Sequence, residues 1–241
     1  YLSCHSMKRS ALTTILIPFV YFITGATGLA GVATTFFYKQ DLALTIEQTQ
    51  ILASIAVIPW SIKPLYGFFS DRMPVFGMHR KPYRILAGIL GSAGYLSMAT
   101  WVDSFYGALV ATLLSGLGFA IADVIVDGIV VERSRSHRAA GKLQSICRAA
   151  IMAGALIVAY ASGVLMEAIG ARPVFMITGL LPLLIILFAV FLVETPADVP
   201  SFSLRDTFTK LRSALSPAIL WSIAFLFVWR ATPSSGSALN Y

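Results

Sequence analysis

The sequence predicts an all-α fold, a polytopic bundle of transmembrane helices with six helices in a first half and one further helix beyond it. Three observations predict it. Of the 241 residues, 57% are hydrophobic and only 12% are charged, about half the charged fraction of an ordinary soluble domain. The mean hydropathy is +0.80. The apolar residues also gather into seven stretches of the roughly 20 residues that a bilayer core of about 30 Å requires. Together these exclude a soluble enzyme, a disordered tail and a secreted disulfide scaffold.

The stretches run from Ala11 to Phe37, Thr49 to Phe69, Tyr83 to Trp101, Phe105 to Val131, Leu143 to Ala168, Pro173 to Val193, and Ile219 to the end. Each is read as a helix, because only a helix satisfies its own backbone hydrogen bonds in lipid. The second ends at Ser70-Asp71-Arg72 and the third at Val102-Asp103-Ser104. Glu132 to Arg138 carries too much charge to sit in hydrocarbon, so it separates the fourth helix from the fifth. The first stretch is too long for a cleavable signal peptide and lacks a convincing small-residue cleavage site. Residues 1–10 form a polar N-terminal tail, 11–193 the six-helix bundle, 194–218 a polar linker with a short amphipathic run from Leu204 to Leu211, and 219–241 the start of a second half. The chain begins at Tyr1 rather than Met and stops inside an apolar run, which reads as about half of a two-part transporter.

Orientation follows from Lys and Arg. Alternate polar segments carry thirteen of them (Lys8, Arg9, Arg72, Arg80, Lys81, Arg84, Arg133, Arg135, Arg138, Lys142, Arg205, Lys210 and Arg212), against only Lys39 and Arg172 in the other set. That bias places the N-terminus in the cytoplasm, and it explains the net charge of +7 without nucleic acid. The basic residues are read mainly as topological determinants. Cys4 and Cys147 are too few for a disulfide framework, and His5, His79 and His137 lack ligand spacing, so neither a metal nor a cofactor is expected.

The densest motif lies between the second and third helices, from Pro59 to Tyr83. Its core, Gly67-Phe-Phe-Ser-Asp71-Arg72, followed by Gly77 and Arg80-Lys81, resembles the loop signature of the major facilitator superfamily. An insert, Met73-Pro74-Val75-Phe76, lengthens the usual loop. That longer form, preceded by Pro-Trp and Lys-Pro, resembles the folate–biopterin transporter family. The run Tyr21 to Leu29 resembles that family's first helix, Ala122 to Gly128 its fourth, and Ala231 to Ala238 the opening of its seventh. The resemblance implies a major facilitator-type bundle, alternating access, and a cytoplasmic gate made of Gly67, Asp71, Arg72, Arg80 and Arg133. In that gate Gly67 allows close helix approach and Asp71 caps a helix or pairs with Arg133.

Ionisable residues inside the spans are functional candidates by default. They are Lys63, Asp123, Asp127, Arg148 and Arg230. Asp127 and Arg148 each lie six residues from a charged helix end, about 9 Å deep, on consecutive antiparallel helices. They are expected to pair, as a structural ion pair or as part of a site. Asp123, one turn further in at about 15 Å, has no obvious partner within this half and is a candidate for substrate or proton binding. Arg230, about 16 Å deep, precedes Thr232-Pro233-Ser234-Ser235-Gly236, which breaks the helix and suits an anion. Its alternative is to neutralise Asp123. Lys63 either snorkels or faces the cavity. Thr24, Gly25, Thr27 and Gly28 are read as packing or a cavity wall, and Trp60, Trp101, Trp221 and Trp229 as anchors or packing, with Trp229 beside Arg230 the one to watch.

A carboxylate can accept hydrogen bonds from a pterin's amino and ring N–H groups, and an arginine can clamp the carboxylates of a glutamate tail. The resemblance implies secondary transport of folates or biopterin-type pteridines, a substrate class consistent with that chemistry, and proton coupling through Asp123 or Asp127 is expected. The expected partners are that substrate, the lipid bilayer and a second transporter half. The plasma membrane is the expected location, with an organelle envelope as the alternative. The competing readings are a transporter of another small organic solute on the same scaffold and a truncated, non-transporting membrane subunit. No nucleophile–base pair or phosphate loop supports an enzyme.

Overall fold

The computed structural model describes residues 17–73, 75, 77, 78, 80–133, 137–191 and 217–230. Apart from an isolated bridge between Val75 and Met78, the regular structure among them is entirely helical. The chain divides into two compact units, Tyr1–Ala197 and Asp198–Tyr241.

In the first unit α1 runs over Ile17–Asp41. It is not a uniform rod. Residues 17–26 are α-helical, a turn follows at Thr27 and Gly28, Leu29–Phe36 resumes the helix, and Phe37–Asp41 closes in a wider π turn. The threonine hydroxyls of α1 bond back to carbonyls of the same helix, Thr24 to Val20 at 3.0 Å and Thr34 to Ala30 at 2.7 Å. Such back-bonding satisfies a hydroxyl in an apolar setting and bends the helix.

The second path, α2, comprises three helical pieces, Ile46–Ala56, Ile58–Ser61 and Lys63–Arg72, where the sequence suggests one continuous span. Pro59 and Pro64 explain the breaks. Each lacks an N–H and clashes with the preceding turn, so each sits at the start of a new piece. The first piece opens with a capping box, in which the Gln48 N–H donates to the Thr45 hydroxyl and the Thr45 N–H donates to the Gln48 side chain.

The remaining helices are α3 (Lys81–Thr100), α4 (Phe105–Arg133), α5 (His137–Ile169) and α6 (Ala171–Phe191). Gly170, with φ of +79°, supplies the left-handed residue that turns α5 into α6. Among the described residues, four helices are long and apolar enough to cross a membrane, Ile17–Asp41, Ile46–Ser70, Phe105–Val130 and Gly141–Ile169, and Ala171–Leu187 is a shorter apolar helix. α3 reaches the length but is less apolar, because it turns Arg84, Ser92 and Ser97 into the protein.

α3 is the hub, packing most extensively on α4 and α6. Backbones meet closely there: a Cβ on Gly94 would lie 2.5 Å from the Ser115 nitrogen. Two apolar clusters result. One joins Tyr21, Ala122, Val126 and Cys147 toward the end that bears Arg72 and Arg80; the other joins Ala33, Phe37, Met98, Ala108 and Phe175 toward the opposite end. At that opposite end the Arg172 guanidinium pairs with Asp103, donates to the Val102 carbonyl at 3.2 Å and lies over the Phe37 ring. In the second unit, α7 spans Pro217–Arg230.

Candidate functional site

One face of α4 organises the interior. Thr112, the adjacent Ser115 and Gly116, Phe119, Asp123 and Asp127 succeed one another turn by turn, at three- and four-residue steps apart from the adjacent pair, so they share a stripe along the helix. The first four line a cavity of about 500 Å³, together with Thr24, Thr27 and Thr34 of α1, Trp60 of α2 and Tyr95 of α3. The cavity lies between the two apolar clusters. Its walls combine hydroxyls with aromatic rings, which suits a flat polar heterocycle better than a hydrocarbon. Thr112 shares a 2.7 Å hydrogen bond with the Tyr38 hydroxyl, and Tyr95 is wedged between Phe119 and Phe175, at ring separations of 6.0 Å and 6.3 Å.

At the margin of the cavity Lys63 Nζ meets Asp123 Oδ2 at 2.5 Å. The ammonium also lies 4.3 Å from the centre of the Trp60 ring, so Trp60 both lines the cavity and backs the cation. The expectation that Asp123 stands alone is therefore corrected. The break at Ile62 starts a new helical piece at Lys63, and the side chain reaches across to α4.

One turn further along α4, Asp127 accepts a hydrogen bond from the Tyr21 hydroxyl of α1. The expected Asp127–Arg148 pair does not form, and Arg148 is exposed. Helix phase is the reason. Cys147 takes the buried position on α5, within the cluster that holds Tyr21 and Val126, and the next residue is rotated about 100° away. Tyr21 belongs to the first-helix motif, yet nothing in the spacing ties it to a carboxylate 106 residues away. The readable signal was a phenol in an apolar span, which needs a partner when buried.

The gate residues separate. Gly67 faces Val124 of α4, where an added Cβ would approach the valine to 3.3 Å. Arg80 is buried and its guanidinium lies on Gly128; a Cβ there would come within 2.2 Å of an Arg80 nitrogen. Arg84 is also buried, at 3% exposure. These two arginines are thus part of the packed interior as well as topological charges. Asp71, Arg72 and Arg133 lie on described helix ends, as does Arg230 at the end of α7, but their side chains lie outside the described residues. Thr232 to Gly236 and the Trp229 side chain lie outside them too. Sequence reasoning missed Thr112, Ser115, Tyr95 and Phe119, and read Trp60 as an anchor or packing.

A helical bundle with membrane-length apolar spans, an open cavity lined by hydroxyls and aromatic rings, and charges beside it defines an integral membrane protein. Residues 24–238 match the model of the BT1 family, and the chain belongs to that family. It is 39% identical to a folate-biopterin transporter of Synechocystis over 231 residues, which is 92% of this chain and 46% of that protein. It is 35% identical to the probable folate-biopterin transporter 2 of Arabidopsis thaliana, covering 84% of this chain and 40% of the relative. Folate transporter 2 of Plasmodium falciparum is 27% identical over 100% of this chain and 53% of its own length. The chain thus spans about half the length of these relatives, all of which are named as transporters rather than enzymes.

Proposed function

We propose that this chain forms one half of a transporter that moves folates or related pteridines across a membrane by alternating access coupled to protons. The observation that carries the reading is the cavity of about 500 Å³, with the Lys63–Asp123 pair at its edge, in a chain whose relatives are named for folate and biopterin. A pteridine ring fits between aromatic faces such as Trp60, Tyr95 and Phe119 while wall hydroxyls bond its edge. Lys63, Asp123, Asp127, Arg148 and Arg230 are the charged groups proposed for substrate binding and proton coupling. Gly67, Asp71, Arg72, Arg80 and Arg133 are proposed to gate the cytoplasmic side.

The exposed charge on α5 supports a second half as partner. Arg148 lies inside a membrane-length helix and is exposed, and a guanidinium at that depth is costly against lipid. Water or another protein segment must cover it. The positive-inside bias supports a cytoplasmic N-terminus, with the plasma membrane as the proposed location.

Reconstituted, full-length protein tests the reading. Wild type should take up labelled folate and biopterin, each competing with the other and neither with unrelated organic anions. Asp123→Asn, inserted at normal levels, should lose folate accumulation by at least tenfold. Absence of uptake of both pteridines by wild type would overturn the substrate assignment, and full accumulation by Asp123→Asn would remove Asp123 from the mechanism.

A further inference from the structure

We infer that the Lys63–Asp123 pair is an exchangeable lock: a carboxylate of the substrate displaces Asp123 from Lys63, and the released Asp123 takes up one proton. This rests on the transporter reading above and specifies how substrate and proton are linked at that site.

Four observations favour exchange over a fixed structural pair. First, the pair is only partly buried, with side-chain exposures of 29% for Lys63 and 16% for Asp123, and both members adjoin cavity-wall residues, Lys63 beside Trp60 and Asp123 one turn from Phe119. Second, Lys63 has a second partner that does not leave. The Trp60 ring, 4.3 Å away, stabilises the ammonium while its anion changes. Third, Lys63 begins the helical piece Lys63–Arg72, so the partial positive charge of that helix start adds to its own and favours an incoming anion. Fourth, Asp127 stands one turn from Asp123 on the same face. Tyr21 holds it, but no cation pairs with it among the described residues.

The ionisable groups around Asp123 are Lys63 from α2, Tyr21 from α1, and Asp127 from its own helix. Cys147 and Arg148 follow from α5, with the thiol buried and the guanidinium exposed. On the α3 side Arg80 lies further along, at Gly128. Once Lys63 turns to a substrate carboxylate, Asp123 keeps a like-charged neighbour and loses its counter-ion in a medium of low polarity. Taking up a proton then removes an unpaired buried charge. The balance is simple. One ion pair breaks and one forms, a proton delivered through cavity water binds the Asp123 carboxylate, and the carboxylate held by Lys63 enters with one proton, so folate, with two carboxylates, enters with one net negative charge. Release runs in reverse: the substrate carboxylate leaves Lys63, Asp123 gives up its proton to water, and the original pair closes.

A substrate without a carboxylate cannot open the lock. Biopterin and folate share the ring and differ in the glutamate tail, so they serve as the two probes. In proteoliposomes of the full-length protein, an inward proton gradient should stimulate folate uptake several-fold and leave biopterin uptake unchanged. Lys63→Gln should raise the KM for folate at least tenfold and raise that for biopterin far less. Asp123→Asn should keep folate exchange between the two sides yet lose gradient-driven accumulation. The double variant Lys63→Gln/Asp123→Asn leaves no orphan charge and should elute as a monodisperse size-exclusion peak at wild-type yield, which reports a competent fold. Equal proton stimulation of both probes, or equal loss of both in Lys63→Gln alongside a competent double variant, would overturn the lock. Wild-type uptake of neither probe would instead overturn the substrate assignment itself.

Discussion

Single side chains decide how the interior tolerates its charges. The Tyr21 hydroxyl is the protein group that holds Asp127, and losing a donor to a buried carboxylate costs about 1–3 kcal/mol. Tyr21→Phe should therefore lower the unfolding temperature of the detergent-solubilised protein by several degrees. Arg148→Ala should shift it less, because no hydrogen bond or ion pair holds its guanidinium among the described residues. The reverse ranking would restore the Asp127–Arg148 pair and displace Tyr21. Both carboxylates could be named from the sequence because a charge in an apolar run stands out against its neighbours. Their partners could not. Lys63 lies 60 residues from Asp123 and Tyr21 lies 106 from Asp127, and such separations carry no local period. Trp60 shows a related limit: an aromatic ring looks the same in sequence whether it anchors a helix, packs or walls a cavity.

At the scale of helices, close approach is set by missing side chains. α1 and α5 cross where Gly25 meets Ile151 and Gly154 meets Phe22; a Cβ on Gly25 would lie 2.1 Å from the Ile151 carbonyl oxygen. Such crossings provide much of the packing between helices in lipid, where there is little hydrophobic drive between them. Gly25→Val and Gly154→Val should abolish insertion of folded protein, whereas Gly31→Ala and Gly163→Ala, which meet nothing within 4 Å, should insert at wild-type levels. Fluorescence-detected size-exclusion chromatography would report both, and a monodisperse Gly25→Val peak would contradict the packing. The helices themselves were legible, since apolar runs closed by charged or turn residues locate spans directly. The breaks in α2 were visible as Pro59 and Pro64 but not interpreted, because hydropathy averages across a proline that the backbone cannot ignore.

The whole molecule shows an uneven distribution of cover. α1 and α4 are about half buried over their most apolar windows, at 50% each, whereas α2 and α5 are buried over only 11%. On α5 the exposed stripe runs from Arg148 through Met152 and Leu156 to Tyr160, mixing a guanidinium with large apolar side chains. The apolar members could meet lipid or protein equally well, so hydropathy alone cannot assign the face. Arg148 breaks the tie. Its position about 9 Å beyond Lys142 along the helix puts it where water or a protein partner is needed to stabilise it. Arg148→Cys in the full-length protein should therefore react with a charged, membrane-impermeant thiol reagent. Ile89→Cys, on an exposed apolar position of α3, should react only with a bilayer-soluble maleimide. The native Cys147 is buried and should give no background with the charged reagent. If Arg148→Cys behaves like Ile89→Cys, the stripe faces lipid, and the second half packs elsewhere on this unit. If it reacts and saturating folate protects it, the aqueous path passes along α5 beside the Lys63–Asp123 pair, and the exposed charge belongs to the transport pathway.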